Sequence, residues 1–140
     1  RVLCATPAYV AARGAPRSLA EIEAHTLIAH NADQWRLDGP KGPAIVRING
    51  PLRTNSSEVV REALLAGLGI ALRSTWDVGP ELKDGRLVRL LPDYSGGRRV
   101  AIHGVYPSRR HMEQKVRAFL DYLAALYGPT PYWDDGLELG

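Results

Sequence analysis

A run of four polar residues stands at the start of the clearest helical pattern in the chain. The run is Thr54, Asn55, Ser56 and Ser57, and Glu58 follows it. An asparagine at a helix start with a glutamate three residues later is typical of a capping box, so we expect Asn55 to be the N-cap. The first turn of a helix offers unpaired N–H groups and a partial positive charge, which can hold an anion or another hydrogen-bond acceptor. The run therefore predicts the floor of a ligand site, with an ordinary capped helix as the alternative.

Motifs for catalysis are missing from the sequence. It contains no nucleophile elbow, Walker loop, HExxH or paired-cysteine motif. Gly67 and Gly69 follow the helical pattern and lack a third glycine, so they indicate a helix end and not a dinucleotide loop. Ser56 or Ser57 beside His30 could be imagined as a nucleophile and its base, but no orienting acid is visible. We predict no catalytic residue.

The other candidate groups are dispersed. The four histidines are His25, His30, His103 and His111. Their spacing predicts no metal site, and nothing indicates a cofactor. Two arginine pairs, at 98–99 and 109–110, flank a predicted strand, and we interpret them as a solvated face in preference to a DNA contact.

Composition predicts one globular domain. Of the 140 residues, 45% are hydrophobic and 24% are charged, and the net charge of +3 is too mild to indicate nucleic-acid binding. Cys4 is the lone cysteine, which excludes an internal disulfide and is compatible with the cytoplasm. No apolar run approaches the roughly 20 residues that cross a bilayer. Because the chain opens on Arg1 in an apparent strand, without an initiator methionine, we expect a piece of a longer protein.

Short apolar runs alternate with helical patterns, which predicts an α/β layered fold. The predicted strands are 2–5, 26–30, 52–54, 70–72, 87–91 and 100–106, and residues 35–48 fit a hairpin that turns within 39–43. The predicted helices are 8–13, 19–25, 55–66 and 76–82. Residues 95–97 are expected to form a loop.

A long helix over 109–127 is predicted by one apolar stripe. Its members recur at spacings of 4, 3, 4 and 3: Met112, Val116, Phe119, Leu123 and Leu126. The tail, 128–140, contains two prolines and an acidic pair and is expected to be extended or mobile.

In this order, the pieces resemble the effector-binding domain of LysR-type transcriptional regulators. The stretches that carry the resemblance are VLCATPAYV (2–10), GAPRSL (14–19), LRTNS (52–56), AxxAGLGIAL (63–72), GRLVRLLP (85–92), VYPSRR (105–110) and KVRAFLDYL (115–123). In that family a winged helix-turn-helix binds DNA, a linker helix dimerises, and two α/β subdomains close on a small effector.

The resemblance implies a Rossmann-like subdomain of the type 2 periplasmic-binding-protein fold, a mixed sheet flanked by helices. Residues 1–107 would be the second subdomain, 108–127 the C-terminal helix of the first, and 128–140 a tail. The hinge would lie at Tyr106 and Pro107. A proline often follows the strand 70–72 in the family, and whether Arg73 at this place reaches the ligand or an outer surface stays open.

Carried over by position, six residues would face the effector: His30, Asn31, Thr54, Asn55, Ser56 and Ser57. The resemblance implies a small effector, for which polar side chains and helix-start amides favour a carboxylate. It also implies a homo-oligomer, a dimer or tetramer, that contacts DNA only through an N-terminal part outside this chain. No membrane partner is expected.

Two other classes stay open. A solute-binding protein of similar fold would carry a signal peptide upstream where a regulator carries a helix-turn-helix, and an enzyme fragment would need an acid–base or metal cluster. The regulator resemblance implies that the C-terminal helix normally buries its apolar stripe on the first subdomain, most of which is missing from this chain. We therefore expect the chain to self-associate, to swap that helix, or to fold it back on its own sheet.

Overall fold

The computed structural model describes residues 1–97, 105, 113–137 and 139. Within them the strands are β1 Val2–Ala5, β2 Leu27–His30, β3 Gln34–Gly39, β4 Gly42–Arg47, β5 Arg53–Thr54, β6 Ile70–Arg73, β7 Val88–Leu90 and β8 Ser95–Gly96. The helices are α1 Pro7–Arg13, α2 Leu19–Ile22, α3 Ser57–Leu65, α4 Thr75–Lys83 and α5 Gln114–Tyr127.

Strand β6 is the centre of a five-stranded mixed sheet with the order β5-β2-β6-β1-β7. It pairs in parallel with β2, where Ile70 lies opposite Leu27, and antiparallel with β1, where Arg73 lies opposite Val2. Strand β5 runs parallel to β2, and β7 runs antiparallel to β1. The carboxyl ends of β2, β5 and β6 therefore lie at one edge of the sheet.

Both faces of this sheet are covered. Leu3, Leu27 and Ile70 belong to a core that includes residues of α1, α2 and the β3–β4 hairpin. Cys4 and Ala71, which point to the opposite face, pack with residues of α3 and α4. The predicted α/β fold, a mixed sheet flanked by helices, is confirmed.

The predicted hairpin is present and gains a third strand. Strands β3 and β4 pair from Gln34 opposite Arg47 to Gly39 opposite Gly42. Residues 95–97 were expected to form a loop, but Ser95 and Gly96 pair with β3 as β8. The Gly96 N–H also donates to the carbonyl of Arg1 at 3.0 Å, which ties this small sheet to β1. A strand of two residues has no alternating pattern, so the sequence gives no signal for it.

The start of α3 differs from the prediction by one residue. Ser56, not Asn55, is the N-cap, and its hydroxyl oxygen accepts from the Val59 N–H at 3.3 Å. The capping box is also wrong, because the Glu58 carboxylate accepts from the Ser56 hydroxyl at 3.0 Å instead of reaching Asn55. Asn55 instead offers its backbone carbonyl to His30. Asparagine and serine cap helices about equally well, so tertiary contacts decided between them.

The end of α3 agrees with the prediction. Gly67 has a φ of +74°, its N–H donates to Leu64, and the Leu68 N–H donates to Ala63, which is a Schellman motif. Gly69 then leads into β6. A Cβ atom on residue 69 would lie 2.3 Å from the carbonyl oxygen of Thr26, which is too close. Glycine is therefore required where the chain turns from α3 into the central strand.

Two other helices are shorter than predicted. Helix α2 ends at Ile22 because residues 23–25 form a turn, and α5 begins at Gln114 with Glu113 as its N-cap. Of the strand predicted at 100–106, only Val105 is described, and it is exposed and not in a strand. Several other predictions concern residues outside the described ones: His103, His111, the arginine pairs at 98–99 and 109–110, the stripe residue Met112 and the hinge at Tyr106 and Pro107.

The tail was expected to be extended or mobile, but residues 132–136 form a turn. The rings of Tyr127, Tyr132 and Trp133 lie within 6.4 Å of one another, centre to centre. The Trp133 carbonyl also lies 3.0 Å from where a Cβ on Gly79 of α4 would be. Aromatic contacts and close packing on a glycine therefore fold the described part of the tail.

Helix α5 has its predicted apolar stripe but no buried residue. Phe119 is 59% exposed and Leu126 is 47% exposed, and Tyr122 beside them is also exposed. Val116 and Leu123 are half-buried. Of the three outcomes that we expected for this helix, folding back on the domain's own sheet is therefore not what the structure shows.

The capping assignment predicts unequal effects of two neighbouring substitutions. Ser56→Ala removes the oxygen that accepts from Val59, so the free energy of unfolding should fall by about 1 kcal/mol. Asn55→Ala leaves the backbone carbonyl in place and should change it by less than about 0.5 kcal/mol. Urea unfolding of both variants measures the difference. A larger loss from Asn55→Ala would contradict the assignment.

Candidate ligand cleft

A cleft of about 610 Å³ opens at the carboxyl ends of β2 and β6. His30 ends β2 and Arg73 ends β6, and both side chains line the cleft. Ser57 and Trp76, from the first turns of α3 and α4, line it as well, and so does the buried Trp35 of β3. The crevice outside the carboxyl ends of parallel strands is where open α/β sheets bind ligands. Its volume suits a small molecule.

The predicted effector-facing residues separate into three groups. His30 and Ser57 line the cleft. Asn31 and Thr54 line a neighbouring cavity of about 150 Å³, where the Asn31 N–H donates to the Thr54 carbonyl at 2.9 Å. Asn55 and Ser56 line neither cavity. The Asn55 carbonyl is bound to His30, and the Ser56 hydroxyl caps α3.

The contact between His30 and Asn55 orients the imidazole. His30 Nε2 lies 2.7 Å from the carbonyl oxygen of Asn55. A carbonyl oxygen only accepts, so Nε2 must carry the hydrogen. The Nδ1 atom of a neutral His30 is then an acceptor. One side of this exposed ring is therefore fixed by the backbone that leads into α3.

Arg73 is the cleft residue that sequence reasoning left undecided. It is only 7% exposed, although it lines the cleft. Its Nε donates to Asp77 Oδ2 at 2.7 Å, its Nη2 also contacts that oxygen, and Nη2 donates to Ser57 Oγ at 3.0 Å. Arg73 therefore reaches the cleft and joins β6 to the starts of α3 and α4. The signal available in the sequence was a basic residue that ends an apolar strand.

Ion pairs continue from Arg73 between α3 and α4. Asp77 Oδ1 lies 3.8 Å from Arg61 Nε, and Arg61 in turn contacts the buried Glu81. Arg86 Nη2 lies 3.3 Å from the same Glu81 oxygen. Charges removed from water need close partners of opposite sign, so this chain of pairs holds the two helices in one relative position.

The start of α3 is already covered by a carboxylate. Glu58 accepts hydrogen bonds from its own backbone N–H and from the Ser56 hydroxyl, and these bonds lower the pKa of its carboxyl group. Glu58 is therefore negatively charged at neutral pH, at the end of the helix where an anion was expected to bind. The positive charges of the cleft lining are arginine side chains, Arg1, Arg36 and Arg73, and not a bare helix start.

Two other kinds of site find no support in the described part of the chain. Those residues contain no group of three or more histidine, cysteine, aspartate or glutamate side chains placed to hold a metal ion. Among them, too, no helix has the length and apolarity that a membrane span requires.

Cys4 lies away from the cleft. It is fully buried in β1, and its Sγ lies 3.8 Å from the carbonyl oxygen of Ala71. Burial raises the pKa of this thiol to about 12. The reactive thiolate is therefore scarcely populated at neutral pH.

Comparison with known proteins places residues 1–127 on the family model described as the LysR substrate binding domain. The chain is 37% identical, over 128 residues, to the HTH-type transcriptional regulator DmlR of Escherichia coli (strain K12), covering 88% of this chain and 41% of DmlR. It is 38% identical, over 130 residues, to the HTH-type transcriptional activator TtdR of Escherichia coli O6:K15:H31, covering 89% of this chain and 41% of TtdR.

The fold is also similar to a solved regulatory domain. That of AphB from Vibrio vulnificus superposes with a TM-score of 0.72 at 32% identity, covering 89% of this chain and 63% of the AphB chain. The chain thus spans about two fifths of the length of the curated relatives and less than two thirds of this structural neighbour.

The burial of Cys4 predicts that its thiol does not react with alkylating reagents in the folded protein. With a pKa of about 12, about one thiol in ten thousand is ionised at pH 8. Iodoacetamide at pH 8 should therefore leave native protein unlabelled over hours and label urea-unfolded protein fully, as mass spectrometry would show. Labelling of the native protein within minutes would contradict the buried position.

Proposed function

Because this chain belongs to the LysR substrate-binding-domain family, we propose that it is one of two subdomains that close on a small effector in a transcriptional regulator. The observation that carries the proposal is the cleft at the carboxyl ends of β2 and β6. Residues of this chain would form one of its two walls. In the whole protein, the first subdomain would supply the opposite wall. Residues 1–107 form the second subdomain, and Tyr106 and Pro107 act as the hinge.

Helix α5 and the tail complete this arrangement. The apolar stripe of α5 has no cover within the described chain, and leaving such side chains in water forgoes roughly 1.5–3 kcal/mol for each. We assign residues 108–127 to the first subdomain, which would bury this stripe. Residues 128–140 would be a tail, whose Trp133 packs on Gly79 of α4.

The effector is a small molecule rich in hydrogen-bond acceptors, and a carboxylate fits best. Ser57 and His30 bring a hydroxyl and an imidazole to the cleft, and Arg73 adds a positive charge. Asn31, Thr54, Asn55 and Ser56 shape the loops next to it and would contact the effector, or the first subdomain, when the two halves close. No residue in this set forms an arrangement for catalysis, so the domain acts by binding.

Regulation follows from differential binding. An effector that binds the closed arrangement more tightly shifts a pre-existing equilibrium toward it. The regulator would bind DNA through an N-terminal part and work in the cytoplasm as a homo-oligomer, a dimer or tetramer. The matched relatives are transcriptional regulators, which favours this function over a solute-binding protein or an enzyme.

A ligand screen on the full-length protein tests the proposal. Small carboxylates would be added singly, and the melting temperature and the affinity for the upstream DNA would be measured. At a ligand concentration of 100 times Kd, the free energy of unfolding should rise by about 2.7 kcal/mol. Ser57→Ala should weaken the response, whereas Ser18→Ala, outside the cleft, should not. DNA binding that is indifferent to every compound that binds the protein would contradict a sensing role.

The uncovered stripe of α5 predicts the behaviour of the 140-residue chain by itself. It should self-associate or exchange α5 between copies, since either would bury Phe119 and Leu126. The double variant Phe119→Asp/Leu126→Asp should be monomeric by light scattering, while Arg117→Asp, at an exposed polar position of the same helix, should behave as the parent chain does. A parent chain that is monomeric, with α5 disordered, would argue against this assignment.

A further inference from the structure

We propose that Arg73 is the residue that binds the negative group of the effector, and that Asp77 is the positioning residue that aims its guanidinium. This inference rests on the proposed function, because it names the anchor and the ligand class of the same cleft. The effector would be a small organic anion with a planar carboxylate, not a neutral or cationic metabolite.

Arg73 lines the cleft, and one nitrogen of its guanidinium has no hydrogen-bond partner among the described residues. Its Nε and Nη2 are bound to Asp77 and Ser57. No hydrogen bond from Nη1 to any described residue is found, and this nitrogen is not among the fully enclosed polar atoms that lack a partner. The side chain is 8% exposed and belongs to the cleft lining, so we assign the Nη1 donors to the ligand. A ligand that covers this charged donor removes it from water, so a ligand that brings a hydrogen-bond acceptor to it is favoured over an apolar one.

Rigid surroundings fix the direction of those donors. Arg73 ends the central strand, with its backbone paired to Val2. Asp77, four residues later in the first turn of α4, holds Nε, and Ser57 of α3 holds Nη2. The guanidinium of Arg73 therefore cannot rotate without breaking its contacts to α3 and α4. Because Nε and Nη2 are engaged by Asp77 and Ser57, the donors left for a carboxylate are the two hydrogens of Nη1.

Asp77 does not cancel the attraction for an anion, because its charge is shared. Arg61 Nε lies 3.8 Å from its other oxygen. The charged residues of the cleft lining are Arg1, Arg36, Arg73, Asp38 and Asp77, so arginines outnumber carboxylates by three to two. The body of the ligand would meet Trp76, which is 62% exposed at the mouth of the cleft, and the buried Trp35. A carboxylate attached to a small hydrocarbon or aromatic group would match both the arginines and the tryptophans of the cleft.

The test compares acids with their own amides in the full-length protein. The probes are butanoate with butanamide, succinate with succinamide, and phenylacetate with phenylacetamide, each titrated by calorimetry. The variants are Arg73→Met, Arg73→Lys and Arg73→Met/Asp77→Asn. The double variant removes the ion pair without leaving a buried charge alone, so it keeps the test valid if Arg73→Met fails to fold. Arg47→Met, which removes an exposed arginine of β4 outside both cavities, is the matched control.

The expected result is a preference for at least one acid over its amide that depends on Arg73. Arg73→Met and the double variant should lose about tenfold or more in affinity for that acid and bind acid and amide alike. Arg73→Lys should recover part of the preference, and Arg47→Met should match the parent protein. A purely structural role would lower the melting temperature and leave the acid-to-amide ratio unchanged.

Three outcomes would overturn the inference, and they bear differently on the proposed function. If an acid binds and Arg73→Met keeps the acid-to-amide ratio, Arg73 is not the anchor, and the effector cleft still stands. If the amides alone bind, the ligand is neutral, and again the cleft stands. If neither acids nor amides bind and no compound in the broader screen alters DNA binding, the inference and the proposed function both fail.

Discussion

The pairing of strand β6 is the constraint on which the rest of the structure depends. Its parallel partner β2 places His30 beside Arg73 at one edge of the sheet, and its antiparallel partner β1 fixes Arg73 opposite Val2. Gly69 allows the chain to enter this strand directly from α3, close to the backbone of Thr26. One central strand, four residues long, therefore connects the core of the domain to the wall of the cleft.

The cleft is built from charges that the fold holds in place. Ion pairs join Arg73 to Asp77, and the half-buried Arg61 to Asp77 and Glu81, across β6, α3 and α4. Buried ion pairs of this kind add little net stability, but they fix the geometry of the groups that take part. Under the proposed function, this fixed geometry would aim the donors before the ligand arrives, so less entropy would be lost on binding.

Much of the fold could be predicted from the sequence because its signals are local. Apolar runs at 2–5 and 70–72, and glycine at position 67, determine elements by themselves. Details that depend on distant contacts were missed. The cap moved from Asn55 to Ser56 because the carbonyl of Asn55 binds His30, and β8 forms because Gly96 can approach Leu72 closely. For the same reason the sequence left Arg73 undecided, since its partner Ser57 is 16 residues away in the chain.

The central claim is that a small anion binds in the cleft at the ends of β2 and β6. Nuclear magnetic resonance can test it directly, by following the Arg73 Nε–H and Ser57 amide signals of the full-length protein while a binding carboxylate is added. The account predicts that these two signals shift first and saturate together. Saturable shifts confined to the smaller cavity near Asn31 and Arg53, with the Arg73 signal unmoved, would contradict it.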